Sequence, residues 1–197
     1  MTLEERGHVG ISVRVLLVLG ILAFADRTGL GIATLCAALF HECGHLLAAR
    51  WMGIPFRSLR IDFNGARLEI GGRMPSFGEE WLLAASGPIA SLLGAALGAL
   101  FWRTLPVSVY FSCASLLLGI LNLLPIRSFD GGRMLECMLA RCLSVRMLDW
   151  VMKLTSFLFL FLLWATAVYF LIRVGNGISL FFFSLSLFLR FLERDSL

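Results

Sequence analysis

Five apolar runs decide what this chain can fold into: Leu30–Trp51, Trp81–Trp102, Val107–Leu124, Leu154–Ile172 and Ile178–Leu192. Each approaches the length needed to cross a bilayer. In hydrocarbon every backbone N–H and C=O must find its partner within the segment, so such runs predict helices. A sixth run, Ile11–Ala25, is shorter and holds Arg14. Its Ala23-Phe24-Ala25 end also fits a signal-peptide cleavage site. The retained span is the preferred reading, and in both cases the run from Leu30 enters the membrane from outside. The chain has 197 residues, 59% hydrophobic and 15% charged, where a soluble domain is nearer a quarter charged. The expected fold is an all-α polytopic membrane protein of about six transmembrane helices, residues 1–197 forming one domain.

The net charge of +4 does not mark a nucleic-acid partner. With a cytoplasmic N-terminus and six crossings, 14 of the 17 basic residues fall inside, leaving Arg27, Arg103 and Arg173 outside. This is the positive-inside bias of a multi-pass protein with both termini cytoplasmic. Five cysteines, Cys36, Cys43, Cys113, Cys137 and Cys142, show no CxxC spacing and are expected to serve as packing residues.

Within the run from Leu30 stands Phe40-His41-Glu42-Cys43-Gly44-His45. An ionisable side chain in such a place costs roughly 2.5–3.5 kcal/mol on insertion scales, and here three come together. Residues i and i+4 of a helix share a face, so His41 and His45 can hold one metal ion. Glu42 lies beside them, placed to act on water at the metal rather than to ligate it. On a soluble helix the same pattern could be a solvated surface. Inside an apolar span there is no water to solvate it, which leaves a polar cluster facing an interior or cavity.

Between the second and third spans lies a segment of about 56–72 centred on Asn64-Gly65, a strong signal for a type I′ hairpin turn. Folding there would pair Asp62 with Arg67, Arg60 with Glu69, Ile61 with Leu68 and Leu59 with Ile70. The expected product is a small membrane-associated β-hairpin, its apolar face resting on the membrane part, because an isolated hairpin is marginal in water. Gly87, Ser91, Gly94, Ala95 and Gly98 form a small-residue stripe on the next span, suited to close helix packing.

The fourth span runs into Asn122-Leu-Leu-Pro125-Ile-Arg-Ser-Phe-Asp130-Gly131-Gly132. Proline and paired glycines disfavour helix, so Asp130 is expected on irregular backbone at the membrane edge. A carboxylate there can supply a third metal ligand and leave the fourth position to water. Asn122 is an amide in an apolar run, with either a neighbouring span or a substrate backbone as its partner.

HECGH followed by NLLPIRSFDGG resembles the paired HExxH and NxxPxxxxDG motifs of the site-2 protease family of intramembrane zinc metalloproteases. Ser86-Gly87-Pro88 is similar to that family's small Gly-Pro motif. The arrangement is most similar to the stage IV sporulation protein FB subgroup, although nothing after Leu192 is expected to form that subgroup's nucleotide-sensing domain. The resemblance implies one zinc ion held by His41, His45 and Asp130, with Glu42 as general base. It implies proteolysis of membrane-spanning or membrane-associated proteins in the cell membrane of a bacterium, with a regulatory membrane protein as a possible partner. Asn122, Pro125, Asn64 and Gly65 are the expected substrate contacts. The alternative is a membrane metal transporter or metal-binding protein, which would need a series of ligand sites; only Glu42 and, at an edge, Asp130 supply acidic groups to the spans.

Overall fold

The structure, a computed structural model, describes residues 8–11, 26, 28–54, 56–62, 65–70, 75–175 and 178–195. The rest of the run Ile11–Ala25 beyond Ile11, and Asn64 of the expected turn, lie outside the described residues. In order the elements are β1 (His8–Ile11), α1 (Leu30–Trp51), β2 (Phe56–Asp62), β3 (Gly65–Ile70), α2 (Phe77–Leu100), α3 (Val107–Asn122), α4 (Asp130–Leu139), α5 (Val145–Val174) and α6 (Ile178–Asp195). The chain divides into two compact units, Met1–Leu123 and Leu124–Leu197.

In the first unit α1, α2 and α3 pack on one another. Local chemistry sets their ends. Asp26 accepts hydrogen bonds from the Ile32 N–H at 2.9 Å and the Thr28 N–H at 3.2 Å, tying down the start of α1. The same helix stops at Gly53, whose φ of 62° is the left-handed conformation glycine adopts without strain. Ile54 N–H donates to the Ala49 carbonyl and Gly53 N–H to the Arg50 carbonyl, the bond pair of a Schellman stop. Helix α2 opens on a capping box: Glu79 N–H donates to Ser76 Oγ and Ser76 N–H to Glu79 Oε2.

The small-residue stripe on α2 is buried throughout, at Gly87, Ser91, Gly94, Ala95 and Gly98. A Cβ on Gly98 would stand 2.9 Å from the Ser108 carbonyl oxygen and from Ser112 Cβ, both at the N-terminal end of α3. One on Gly94 would meet the Phe40 ring of α1 at 3.0 Å. The stripe therefore sets how closely α1 and α3 approach α2.

Strand β2 is central in a sheet of order β1-β2-β3, parallel to β1 and antiparallel to β3. The β2–β3 register differs from the expected one. Asp62 is opposite Gly65, Leu59 opposite Leu68, and Arg60 opposite Arg67 rather than Glu69. The ladder closes one residue earlier than a turn on Asn64-Gly65 allows, and the connection between strands fixes register. The charge pairing assumed for the hairpin is not made.

In the second unit α4 and α6 each pack on α5. Its core is Ile126, Leu160 and Leu187, with Leu124, Phe129, Phe159 and Leu163 against them. Asp130 does not sit on irregular backbone as expected; it is the first residue of α4. The glycine pair falls in the first helical turn, where N–H groups have no intrahelical acceptor and a break costs little. Gly132 is needed there for space, since a Cβ would meet the backbone of Ile126 and lie 2.8 Å from Arg127 N.

Among the described residues three helices are long and apolar enough to cross a membrane: Leu30–Trp51, Phe77–Leu100 and Val145–Arg173. Helix α3 is apolar but has 16 residues, about 24 Å at 1.5 Å per residue against a hydrocarbon core of roughly 30 Å. The apolar stretch Leu180–Leu192 of α6 is shorter still. Of the five cysteines only Cys137 is buried; Cys36, Cys43, Cys113 and Cys142 are exposed on the chain's surface, contrary to a general packing role.

Candidate metal centre

His41 and His45 lie one turn apart on α1, and their Nε2 atoms are 3.3 Å apart. Their rings are nearly perpendicular, at 81°. His41 is buried, at 4% exposure, and His45 is half-buried. Two nitrogens about 2.05 Å from one tetrahedral zinc would stand about 3.3 Å from each other. The pair meets that requirement.

The opposite ring nitrogens face α2. His45 Nδ1 is 2.8 Å from the Leu83 carbonyl oxygen. A carbonyl only accepts, so Nδ1 carries the hydrogen and Nε2 presents its lone pair. The Leu83 carbonyl also accepts from Ser86 Oγ at 2.6 Å. His41 Nδ1 lies 2.9 Å from Ser91 Oγ, a side chain with no exposure. This is the outer-shell pattern that fixes tautomer and aim in histidine-ligated metal sites.

Gly87 makes the approach of the two helices possible. A Cβ there would overlap His45 Nε2 and stand 2.5 Å from His45 Cε1 and 2.7 Å from His41 Nε2. Gly44 does the same from the other side, its missing Cβ leaving room for Ala90 Cβ and the Ser86 carbonyl. The glycines and serines of α2, expected only to pack helices, thus also shape and hydrogen-bond the histidine pair. Their signal in the sequence was the stripe spacing; what they touch was not encoded locally.

Glu42 follows His41 on α1, about 100° further round the helix, and is half-buried. Asp130 is 8% exposed and lies in the first turn of α4, where the helix dipole favours negative charge. Asn122 donates from Nδ2 to the Leu118 carbonyl of its own helix at 3.0 Å. Among the described residues its amide makes no hydrogen bond to a neighbouring span, one of the two partners considered for it. Pro125 is half-buried in the turn between α3 and α4. Gly65 opens β3.

That turn is fixed within the second unit by Arg127. Its backbone N–H donates to Ser156 Oγ at 3.0 Å, and its guanidinium pairs with Asp149 at 2.6 Å and Glu136 at 3.5 Å.

Among solved structures, the fold is similar to that of a site-2 protease from Methanocaldococcus jannaschii. The TM-score is 0.64 at 18% identity, covering 98% of this chain and 92% of that one. Rip3 of Mycobacterium tuberculosis, in strains H37Rv and Erdman, is 32% identical over 123 residues. That stretch is 57% of this chain and 31% of Rip3, so the similarity spans about a third of the relative's length. Residues 84–163, which take in Asn122, Pro125 and Asp130, match Peptidase family M50.

Proposed function

We propose that the chain is an intramembrane zinc metalloendopeptidase of the M50 type, cutting peptide bonds of membrane-spanning or membrane-associated proteins within or near the bilayer. The observation that carries this reading is the pair of Nε2 atoms 3.3 Å apart with both Nδ1 atoms engaged by α2. The M50 match and the metalloprotease name carried by Rip3 support it. His41 and His45 are assigned as ligands of one zinc ion. Asp130 is assigned as the third, on its place in the NxxPxxxxDG pattern and its burial in the first turn of α4. The two compact units act together as one protease domain.

When bound, zinc supplies Lewis acidity to a peptide carbonyl and to water. Glu42 takes the proton from the attacking water at its carboxylate and returns it to the leaving amine. Asn122 Oδ1, which accepts no hydrogen bond among the described residues, is free to hold an N–H of an unwound substrate, with Pro125 shaping the turn beside it. Asn64 and Gly65 are assigned to the substrate side of a membrane-associated hairpin. The charge distribution supports six crossings of a bacterial cell membrane, with the hairpin and Asp130 facing the cytoplasm. The motif pair keeps the stage IV sporulation protein FB subgroup as the nearest functional analogy.

The test co-expresses wild type, Glu42→Gln and His45→Ala with candidate single-span proteins and measures both fragments and zinc content. Glu42→Gln should retain zinc and give no fragment, while His45→Ala should lose both. Loss of zinc from Glu42→Gln as complete as from His45→Ala would sink the role assigned to Glu42. A fragment made equally by all three would sink the protease reading.

A further inference from the structure

Of the basic side chains near the connection from α4 to α5, Arg127 and Lys153 are paired and Arg141 and Arg146 are not. Arg127 engages Glu136 and Asp149, and Lys153 engages Asp149 at 3.3 Å. Arg141 and Arg146 are exposed, and neither side chain has an ion-pair or hydrogen-bond partner among the described residues. Arg141 lies on the connection and Arg146 in the first turn of α5, where no acidic residue offsets it. The surface beside them is apolar and continuous with the span. Helix α5 is long and apolar enough to cross a membrane and begins at Val145, so this end stands at a leaflet boundary. Val145 is 86% exposed and Trp150 64%. Trp150 follows Arg146 by one turn, and the exposed Leu154 and Phe161 continue the same face. Phe161 is about 22 Å along the axis from Arg146, and half a bilayer with its headgroups is roughly 20–22 Å. The face therefore presents a guanidinium, an indole and hydrocarbon in the order in which one leaflet presents their counterparts.

We propose that Arg141 and Arg146 hold the phosphate of an anionic phospholipid whose acyl chains lie along the Trp150, Leu154 and Phe161 face of α5. A guanidinium donates to phosphate oxygens in a fixed fork. The indole sits at headgroup level, as in the aromatic belts of membrane proteins. A zwitterionic headgroup carries its own cation beside the phosphate, so two unpaired guanidiniums favour a headgroup with net negative charge. A soluble acidic peptide would match the charges but not the apolar face that continues below them.

The assay is native mass spectrometry of the full chain released from detergent micelles. The protein is titrated with phosphatidylglycerol or phosphatidylcholine of the same acyl chains. Wild type should bind phosphatidylglycerol about 30-fold more tightly, at about 5-fold for each guanidinium. Arg141→Gln/Arg146→Gln should bind the two lipids alike. Arg103→Gln/Arg173→Gln removes the same charge from two other exposed arginines, one between α2 and α3 and one in the last turn of α5, and should keep the preference. Trp150→Ala should weaken both lipids by a similar factor, and no effect on either would overturn the path given to the chains. Equal affinity for the two lipids in wild type overturns the site. So does a preference kept by Arg141→Gln/Arg146→Gln or lost equally in the control. Displacement of phosphatidylglycerol by millimolar inorganic phosphate or by a polyglutamate peptide would make this a free-anion or acidic-protein site and overturns the lipid assignment.

Discussion

Gly87→Ala is the sharpest available perturbation of the candidate centre, because it adds one methyl group and no polarity. The new carbon would overlap His45 Nε2, with His45 Cε1 at 2.5 Å and His41 Nε2 at 2.7 Å. Ordinary contacts begin near 3.5 Å, so the rings must withdraw by about 1 Å. Ligand distances in a zinc site are held to about ±0.2 Å, and a shift of that size costs at least one ligand. Apparent zinc-binding energies of about 10–16 kcal/mol for four ligands put one ligand at roughly 2.5–4 kcal/mol. That corresponds to about 10²- to 10³-fold weaker binding. The assay is chelator competition on detergent-purified protein, with thermal unfolding followed in parallel. Gly98→Ala is the matched control: it crowds the Ser108 carbonyl and Ser112 at 2.9 Å from a position about 16 Å along the same helix. Both variants should lose about 1–3 kcal/mol of stability to overpacking, but only Gly87→Ala should lose zinc. Wild-type affinity in Gly87→Ala, or an equal loss in Gly98→Ala, would refute the reasoning.

Arg127→Met and Asp149→Asn should each lower the unfolding temperature only slightly, since the pair is partly exposed, at 26% and 43%. The double variant should cost less than the sum, and full additivity in a double-mutant cycle would show that the pair is not coupled. In a background freed of other cysteines, the exposed native Cys142 should react with an impermeant maleimide only after permeabilisation, and Thr104→Cys should react in intact cells; the reverse pattern would overturn the proposed topology. Hydrogen bonds from the Ile32 N–H and from Thr28 hold the Asp26 carboxyl below its ordinary range. Its contribution to the start of α1 is therefore present above the ordinary value, ~3.9, and is lost as pH falls through the lowered one. Asp26→Asn should shrink the difference in unfolding temperature between pH 3 and pH 6, and an unchanged difference would remove that role.

The histidine pair was legible because its information is local: four residues of spacing on a helix put both rings on one face. Helix α1 was legible to the residue, since its apolar run and its Gly53 stop coincide. What holds the histidines was not. Leu83 and Ser91 lie 38 and 50 residues away in sequence, and a carbonyl partner carries no side-chain signature at all. Ser91 could be read only as a small residue in a stripe. The start of α4 was misread because glycines break helix interiors, whereas these two fall in a first turn where close backbone passage decides. The β2–β3 register was misread because the Asn-Gly signal and charge pairing argued for one alignment, whereas the ladder sets Arg60 opposite Arg67 and Asp62 opposite Gly65. The tie between Arg127 and Asp149 crosses 22 residues and leaves no periodic trace.

The division of labour between α1 and α2 bears on any attempt to transplant the centre. HECGH moved onto a foreign helix would bring both histidines but neither of the groups that orient their rings. A host helix with an ordinary side chain opposite would also deny the space that Gly87 leaves. The smallest portable unit is a pair of helices: the α1 turn from His41 to His45 with the α2 segment from Leu83 to Ser91. A designer who copies the short motif alone should obtain a helix that binds metal weakly and without a defined geometry.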